Sequence, residues 1–202
     1  MSTRVIGITG GIGAGKSVVL DYIEENFNAR IIKTDEVGHL VTEPGTGCNA
    51  ALREIFPDGV FDAQGRMDRN KFAAAMFQNP ELTAKTNAII HPAVGEYLEA
   101  EVEKERRQNV LDYVIIEAAL YDGTGFALLC DEVWNVDASP QVRKHRLMDD
   151  RGYSEEKVEG IFKSQREYDR LRLTLPVQID NNGDLESTFN QIKRALAALD
   201  GE

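Results

Sequence analysis

The chain has 202 residues, 42% hydrophobic and 28% charged, with a formal net charge of −11. That length and composition describe an ordinary globular protein able to bury a sizeable core, in one domain or one domain with a subdomain. The acidic balance argues against a nucleic-acid surface, no apolar run approaches the ~20 residues of a membrane span, and the start reads as a strand rather than a signal peptide, so a cytoplasmic protein without nucleic-acid or membrane partners is expected.

The first element, Arg4–Thr9, is a short apolar run of the kind a buried parallel strand requires. It leads into Gly10-Gly11-Ile12-Gly13-Ala14-Gly15-Lys16-Ser17, which fits the phosphate-binding pattern G-x-x-x-x-G-K-[ST]. Glycines let the backbone turn its N–H groups inward around an anion, and the following helix adds the positive end of its dipole. Lys16 is expected on the β- and γ-phosphates, and the Ser17 hydroxyl on Mg²⁺. Val19, Leu20 and Ile23 then follow at helical spacing. Strand, loop and helix predict a site for a nucleoside triphosphate but do not say what is done with it.

A second strand, Ala29–Lys33, ends at Thr34-Asp35. Ligands of open α/β sheets lie beyond the carboxyl ends of strands, which places Asp35 near the γ-phosphate as a proton acceptor or Mg²⁺ ligand. An aspartate after a strand serves equally well as the N-cap of the next helix. Residues 36–41 read as a short helix carrying His39, Pro44-Gly45 as a turn, and 49–56 as a helix with Leu52, Ile55 and Phe56 on one face. Asp68 is placed to cap a helix running through Phe72, Met76 and Phe77. Arg69 falls in its first turn, where the dipole disfavours a cation, so a bound anion or plain solvation would account for it. Residues 80–107 form a long helical region predicted to break at His91-Pro92. Such a break would turn His91 toward a ligand or make a kink around a partly buried imidazole. Val94, Leu98 and Val102 mark the apolar side of its second half.

Tyr113–Glu117 is apolar enough for an interior strand, and Glu117 or Asp122 beyond it would order the Mg²⁺ shell. Leu120, Leu128 and Leu129 flank a short helical stretch, 132–136 is a fourth strand, and Ser139-Pro140 starts a helix. That helix carries Arg143, Lys144, His145 and Arg146, with Arg151 just beyond, the densest basic cluster of the chain. After a break at Gly152-Tyr153-Ser154 a second helix, Glu155–Arg172, adds Lys163, Arg166, Arg170 and Arg172. The pair reads as a lid whose arginines close on phosphates, or as a solvated hairpin with salt bridges to Asp149, Asp150, Glu155 and Glu156. A last strand at 176–180, a turn at Asn181-Asn182-Gly183, and an amphipathic helix through Leu185, Phe189, Ile192, Leu196 and Leu199 complete the chain. Cys48 and Cys130 show no metal or redox spacing, and nothing demands assembly, which leaves a monomer as the default.

Taken together, Gly7-Ile8-Thr9 with the loop through Ser17, Thr34-Asp35 with His39, Pro44-Gly45, Arg66-Met67-Asp68-Arg69 and Ile90-His91-Pro92 resemble the dephospho-CoA kinase family. So do Val136-Asp137-Ala138-Ser139-Pro140 with Arg146, Gln165, and Ile179-Asp180-Asn181-Asn182-Gly183. The resemblance implies an α/β P-loop kinase domain, a parallel sheet flanked by helices. Its core is expected at about 1–35, 110–138 and 175–202, a helical substrate region at about 36–109 and a helical lid at about 139–174. It implies transfer of the γ-phosphate of ATP, with Mg²⁺, to the ribose 3′-hydroxyl of dephospho-CoA, the last step of coenzyme A synthesis. By position, Asp35, Lys16 and Arg146 are the expected catalytic residues. Gly11, Ile12, Gly13, Ala14, Gly15, Lys16, Ser17, Arg146 and Asn181 would bind nucleotide. Thr9, Asp35, Arg69 and His91 would bind the acceptor, and Ser17 and Asp122 the metal. Two departures stand out: Ala118-Ala119-Leu120-Tyr121-Asp122 replaces the family's Pro-Leu-Leu and acid, and the second lid arginine is offset at Asp150-Arg151. Other readings of a P-loop are a kinase for a nucleoside monophosphate or shikimate-like acceptor, or a nucleotide-dependent switch, though a switch usually works through mobile loops rather than an arginine-rich lid.

Overall fold

The structure is a computed structural model that describes residues 2–119 and 125–201. Leu120 and Asp122 lie outside the described residues. In chain order the elements are β1 (Arg4–Thr9), α1 (Lys16–Asn26), β2 (Ala29–Lys33), α2 (Thr34–Val41), α3 (Gly47–Ile55), α4 (Arg69–Gln78) and α5 (Pro80–Gln108). Then come β3 (Tyr113–Glu117), a 3-10 turn at Gly125–Leu129, β4 (Glu132–Asp137), α6 (Pro140–Asp149), α7 (Glu155–Arg172), β5 (Val177–Asp180) and α8 (Leu185–Asp200). The chain divides into two compact units, one built from the residues up to Ile32 and from Lys104 onward, the other from Lys33–Glu103.

The first unit holds the sheet, in the order β2-β3-β1-β4-β5. β1 lies at its centre, parallel to β3 with Ile6 opposite Ile115 and parallel to β4 with Ile8 opposite Trp134. A parallel strand with both faces covered must be apolar throughout, and β3 is buried at all five positions. One core joins Ile6, Ile8, Ile115, Trp134 and Val136 of the sheet to Val19, Leu20 and Ile23 of α1 and Ile192, Leu196 and Leu199 of α8. Tyr22 of α1 stacks on Phe189 of α8 with ring centroids 3.9 Å apart. Leu185 departs from the expected apolar stripe: it opens α8 and is 47% exposed, and Thr188 takes the buried position in that turn.

The second unit has a smaller core of Leu52, Phe56, Val60 and Leu82, with Phe72 stacked on Phe56 at 4.3 Å. Asn49 is buried there and its amide donates to the carbonyls of Thr42 and Gly65, both at 2.9 Å. Helix α3 begins at Gly47, two residues before the sequence pattern suggests, because Thr46 is the N-cap and accepts from Asn49 N. Asp68 caps α4 as expected, accepting from the N–H groups of Asn70 and Lys71. The break expected at His91-Pro92 is absent, since α5 is one helix with Pro92 inside it. Proline leaves the carbonyl of Ala88 without its helical partner, but Ala88, His91 and Pro92 are all exposed, so water satisfies it. The imidazole of His91 is therefore exposed rather than packed in a kink.

Candidate active site

β1 delivers the glycine-rich loop from the middle of the sheet, at its carboxyl edge. Two glycines of the loop have left-handed backbone, Gly13 at φ 81° and Gly15 at φ 93°. Gly15 is the N-cap of α1, and a Cβ there would lie 2.1 Å from Nδ2 of Asn181. Only glycine meets both demands.

Side chains hold the carbonyls of the loop, and all of these side chains but that of Lys16 come from outside it. Lys16 Nζ donates to Gly10 O at 2.9 Å, Arg143 Nε to Ile12 O at 2.9 Å, and Arg146 Nη1 to Ala14 O at 3.2 Å. Asn181 Nδ2 donates to the same Ala14 O at 2.8 Å and is itself held by Thr188, whose hydroxyl donates to its Oδ1. In a trans peptide the C=O and the next N–H point in opposite directions, so fixing the Ala14 carbonyl outward fixes the Gly15 N–H inward. Among the described residues the N–H groups of Gly13, Gly15 and Ser17 have no acceptor. Several N–H groups converging beside a helix N-terminus make a receptor for phosphate oxygens. The Ser17 hydroxyl is exposed at the start of α1.

The cationic side of this receptor is Lys16, 3.6 Å from the buried carboxylate of Glu117 at the end of β3. Of the two acids named for the metal shell, Glu117 is thus tied to Lys16 and Asp122 lies outside the described residues. Thr9, the last residue of β1, is fully buried, and its hydroxyl has no hydrogen-bond partner among the described residues.

Helices α6 and α7 pack beside the loop in the same unit, and the basic cluster divides by helix face. Lys144 pairs with Glu155 and His145 with Asp149 on the exposed side, which is the salt-bridged hairpin anticipated from sequence. Arg143 and Arg146, three residues apart and so on one face, turn to the loop instead. Arg146 also donates to Asn181 O at 2.8 Å and so ties the loop to the turn after β5. Behind them lies a buried charge network. Asp169 pairs with Arg143 and with Arg172, and Arg172 donates to Ala119 O at 3.4 Å. Burial pulls the Arg172 pKa down while Asp169 opposes it. Burial also raises the Asp137 carboxyl, against the lowering effect of Arg143. Gln165 of α7 completes the set, its Oε1 accepting from Ile12 N at 3.1 Å. Sequence reasoning had Arg143 among the lid arginines and Gln165 among the residues of the family resemblance, but gave neither a contact with the loop; the signal for Arg143 was its three-residue spacing from Arg146.

Asp35, Arg69 and His91 belong to the second unit. Asp35 is not an N-cap. Helix α2 starts one residue before it, its N-cap is Lys33 without a side-chain bond, and Asp35 stands in the first turn. Its carboxylate is exposed, with no partner among the described residues. Arg69 is likewise exposed in the first turn of α4.

Residues 4–187 match the family model described as dephospho-CoA kinase. The chain belongs to the dephospho-CoA kinase family. It is 34% identical over 200 residues to the dephospho-CoA kinase of Corynebacterium glutamicum, covering 96% of each chain. It is 33% identical over 180 residues to that of Corynebacterium diphtheriae, covering 89% of each. Among solved structures it superposes on TT1252 from Thermus thermophilus with a TM-score of 0.79 at 27% identity, covering 98% of this chain and 99% of that one. The activity follows from the family: ATP-dependent phosphorylation of dephospho-CoA, the final step of coenzyme A biosynthesis. The fold is that of P-loop kinases, as the sequence indicated. Among the described residues no helix is long and apolar enough to cross a membrane.

Proposed function

We propose that the loop from Gly11 to Ser17 holds the triphosphate of ATP and that Asp35 accepts the proton of the ribose 3′-hydroxyl as its oxygen attacks the γ-phosphorus. The new P–O bond forms as the bond to ADP breaks, and the proton passes to the Asp35 carboxylate. The observation that carries this reading is the set of N–H groups at Gly13, Gly15 and Ser17, without acceptors among the described residues while the Ile12 and Ala14 carbonyls are held by side chains. Lys16 supplies charge to the β- and γ-phosphates, and Arg146 and Asn181 frame the nucleotide from the loop's outer side. Thr9, whose buried hydroxyl has no partner among the described residues, and the exposed Arg69 and His91 are assigned to the acceptor.

Mg²⁺ fits the donor set. Among the described residues no group of three or more acidic, histidine or cysteine side chains could cage a metal. Mg²⁺ needs no such cage, because it keeps most of its water and takes phosphate oxygens; the exposed Ser17 hydroxyl would be its protein ligand and Asp122 would be the acid for its shell. When bound, the ion neutralises charge on the transferring phosphoryl group. We further propose division of labour along the chain, with 139–174 as lid and 36–109 as acceptor region, in a cytoplasmic monomer that binds no nucleic acid. The net charge of −11 supports the last point.

The test is ADP release with and without dephospho-CoA, on wild type and Asp35→Asn. Because Asp35 caps nothing, asparagine should leave the melting temperature nearly unchanged. Turnover should fall roughly 10²–10⁴-fold, the range of general-base catalysis. A near-wild-type rate would remove Asp35 from the mechanism, and ADP release indifferent to dephospho-CoA would remove the acceptor assignment.

A further inference from the structure

We propose that Arg143 and Gln165 are positioning residues for phosphoryl transfer, which clamp the peptide groups around Ile12 and so aim the N–H of Gly13. Neither side chain needs to touch nucleotide. Arg143 Nε holds Ile12 O at 2.9 Å, and Ile12 O shares a peptide unit with the Gly13 N–H. With that carbonyl fixed outward, the Gly13 N–H, which has no acceptor among the described residues, points inward. Gln165 fixes the preceding peptide by accepting from Ile12 N at 3.1 Å. Both backbone groups of one residue are thus held by side chains from two different helices.

The clamp is itself rigid. Arg143 is 5% exposed, its Nη1 lies 3.2 Å from Asp169, and its guanidinium sits 4.7 Å from the centre of the Phe162 ring. Its Nη2 also reaches the Gln165 oxygen at 3.5 Å, which links the two halves. A guanidinium fork can serve all three directions at once, whereas an ammonium cannot. A donor aimed before the substrate arrives needs no reorganisation during the reaction, and a 1 Å misplacement is enough to lower the rate.

This inference rests on the loop being the ATP site, so its test is read against wild type in the same ADP-release assay. Three variants are informative: Arg143→Lys keeps the charge but loses the fork, Gln165→Met keeps the length but cannot accept, and Gln165→Glu keeps the acceptor. Steady-state constants for ATP and for dephospho-CoA are measured with the melting temperature of each variant. Arg143→Lys and Gln165→Met should lower kcat/KM for ATP roughly 10–100-fold. The KM for dephospho-CoA should stay put, and Gln165→Glu should regain most of the loss. Unchanged kcat/KM for ATP in Gln165→Met would overturn the proposal. So would failure of Gln165→Glu to rescue, or parallel losses toward both substrates that track the melting temperature. Should Arg143→Lys not fold, the half-buried Gln165 pair carries the test alone. A wild type that releases no ADP would instead count against the kinase reading itself.

Discussion

Lys16 does two things at once. Its ammonium is bonded to Gly10 O at 2.9 Å and paired with Glu117 at 3.6 Å, so part of its work is to neutralise a buried acid beside the loop. Lys16→Ala should therefore reduce kcat/KM by at least about 10²–10³-fold, the usual loss for one charge-stabilising donor. It should also cost about 1–3 kcal/mol of stability through loss of the pairing with the buried Glu117 carboxylate. Paired kinetics and thermal melts check both numbers; a near-wild-type rate would return the loop to a merely structural turn. A double variant, Lys16→Ala with Glu117→Gln, should recover part of the stability but not the rate, because it removes the buried negative charge and not the need for a cation.

The helices show what a local sequence pattern carries. Asp184 caps α8, accepting from Ser187 N at 2.8 Å and from its hydroxyl at 2.9 Å. Those bonds hold its carboxyl below the usual range. A carboxyl lowered on folding stabilises the fold above its unfolded pKa and loses that contribution as pH falls through its folded pKa. Asp184→Ala should therefore lower the melting temperature by about 2–4 °C at pH 7, and by much less once the carboxyl is protonated at low pH. A deficit that does not change between the two conditions would show that the charge is irrelevant to the cap. Strands β1 to β5, the caps at Asp68 and Ser139, and the loop between β1 and α1 were legible because each is written within a few neighbouring residues. The helix start at Thr46 was missed because that threonine, three residues upstream of Asn49, takes the cap and Asn49 becomes its donor. The continuity of α5 depends on the exposure of Ala88, which periodicity does not report. The contacts of Arg143 and Gln165 with the loop were not legible because their partner Ile12 lies more than 130 residues away, and adjacency across that distance appears only when β4 has been laid beside β1.

At the scale of the molecule, each of the two compact units has a core of its own. Trp134, the one tryptophan, is fully buried in the sheet unit, while Leu52 is fully buried in the other. Leu52→Ala should cost about 2–5 kcal/mol. Its melting curve by circular dichroism should gain an early transition to which tryptophan emission is blind. If both probes shift together, the units unfold as one. The sheet order has a consequence for how the protein is made. β1 leaves the ribosome well before the strands it pairs with: its register partner for Arg4 is Tyr113, and its other neighbour, β4, is later still. At translation rates of about 5–20 residues per second, that apolar strand spends roughly 5–20 s without a partner. Throughout that interval the nascent chain presents an apolar strand without its native partners, a template for pairing with another chain. The central place that aims the phosphate loop is bought with a long vulnerable infancy.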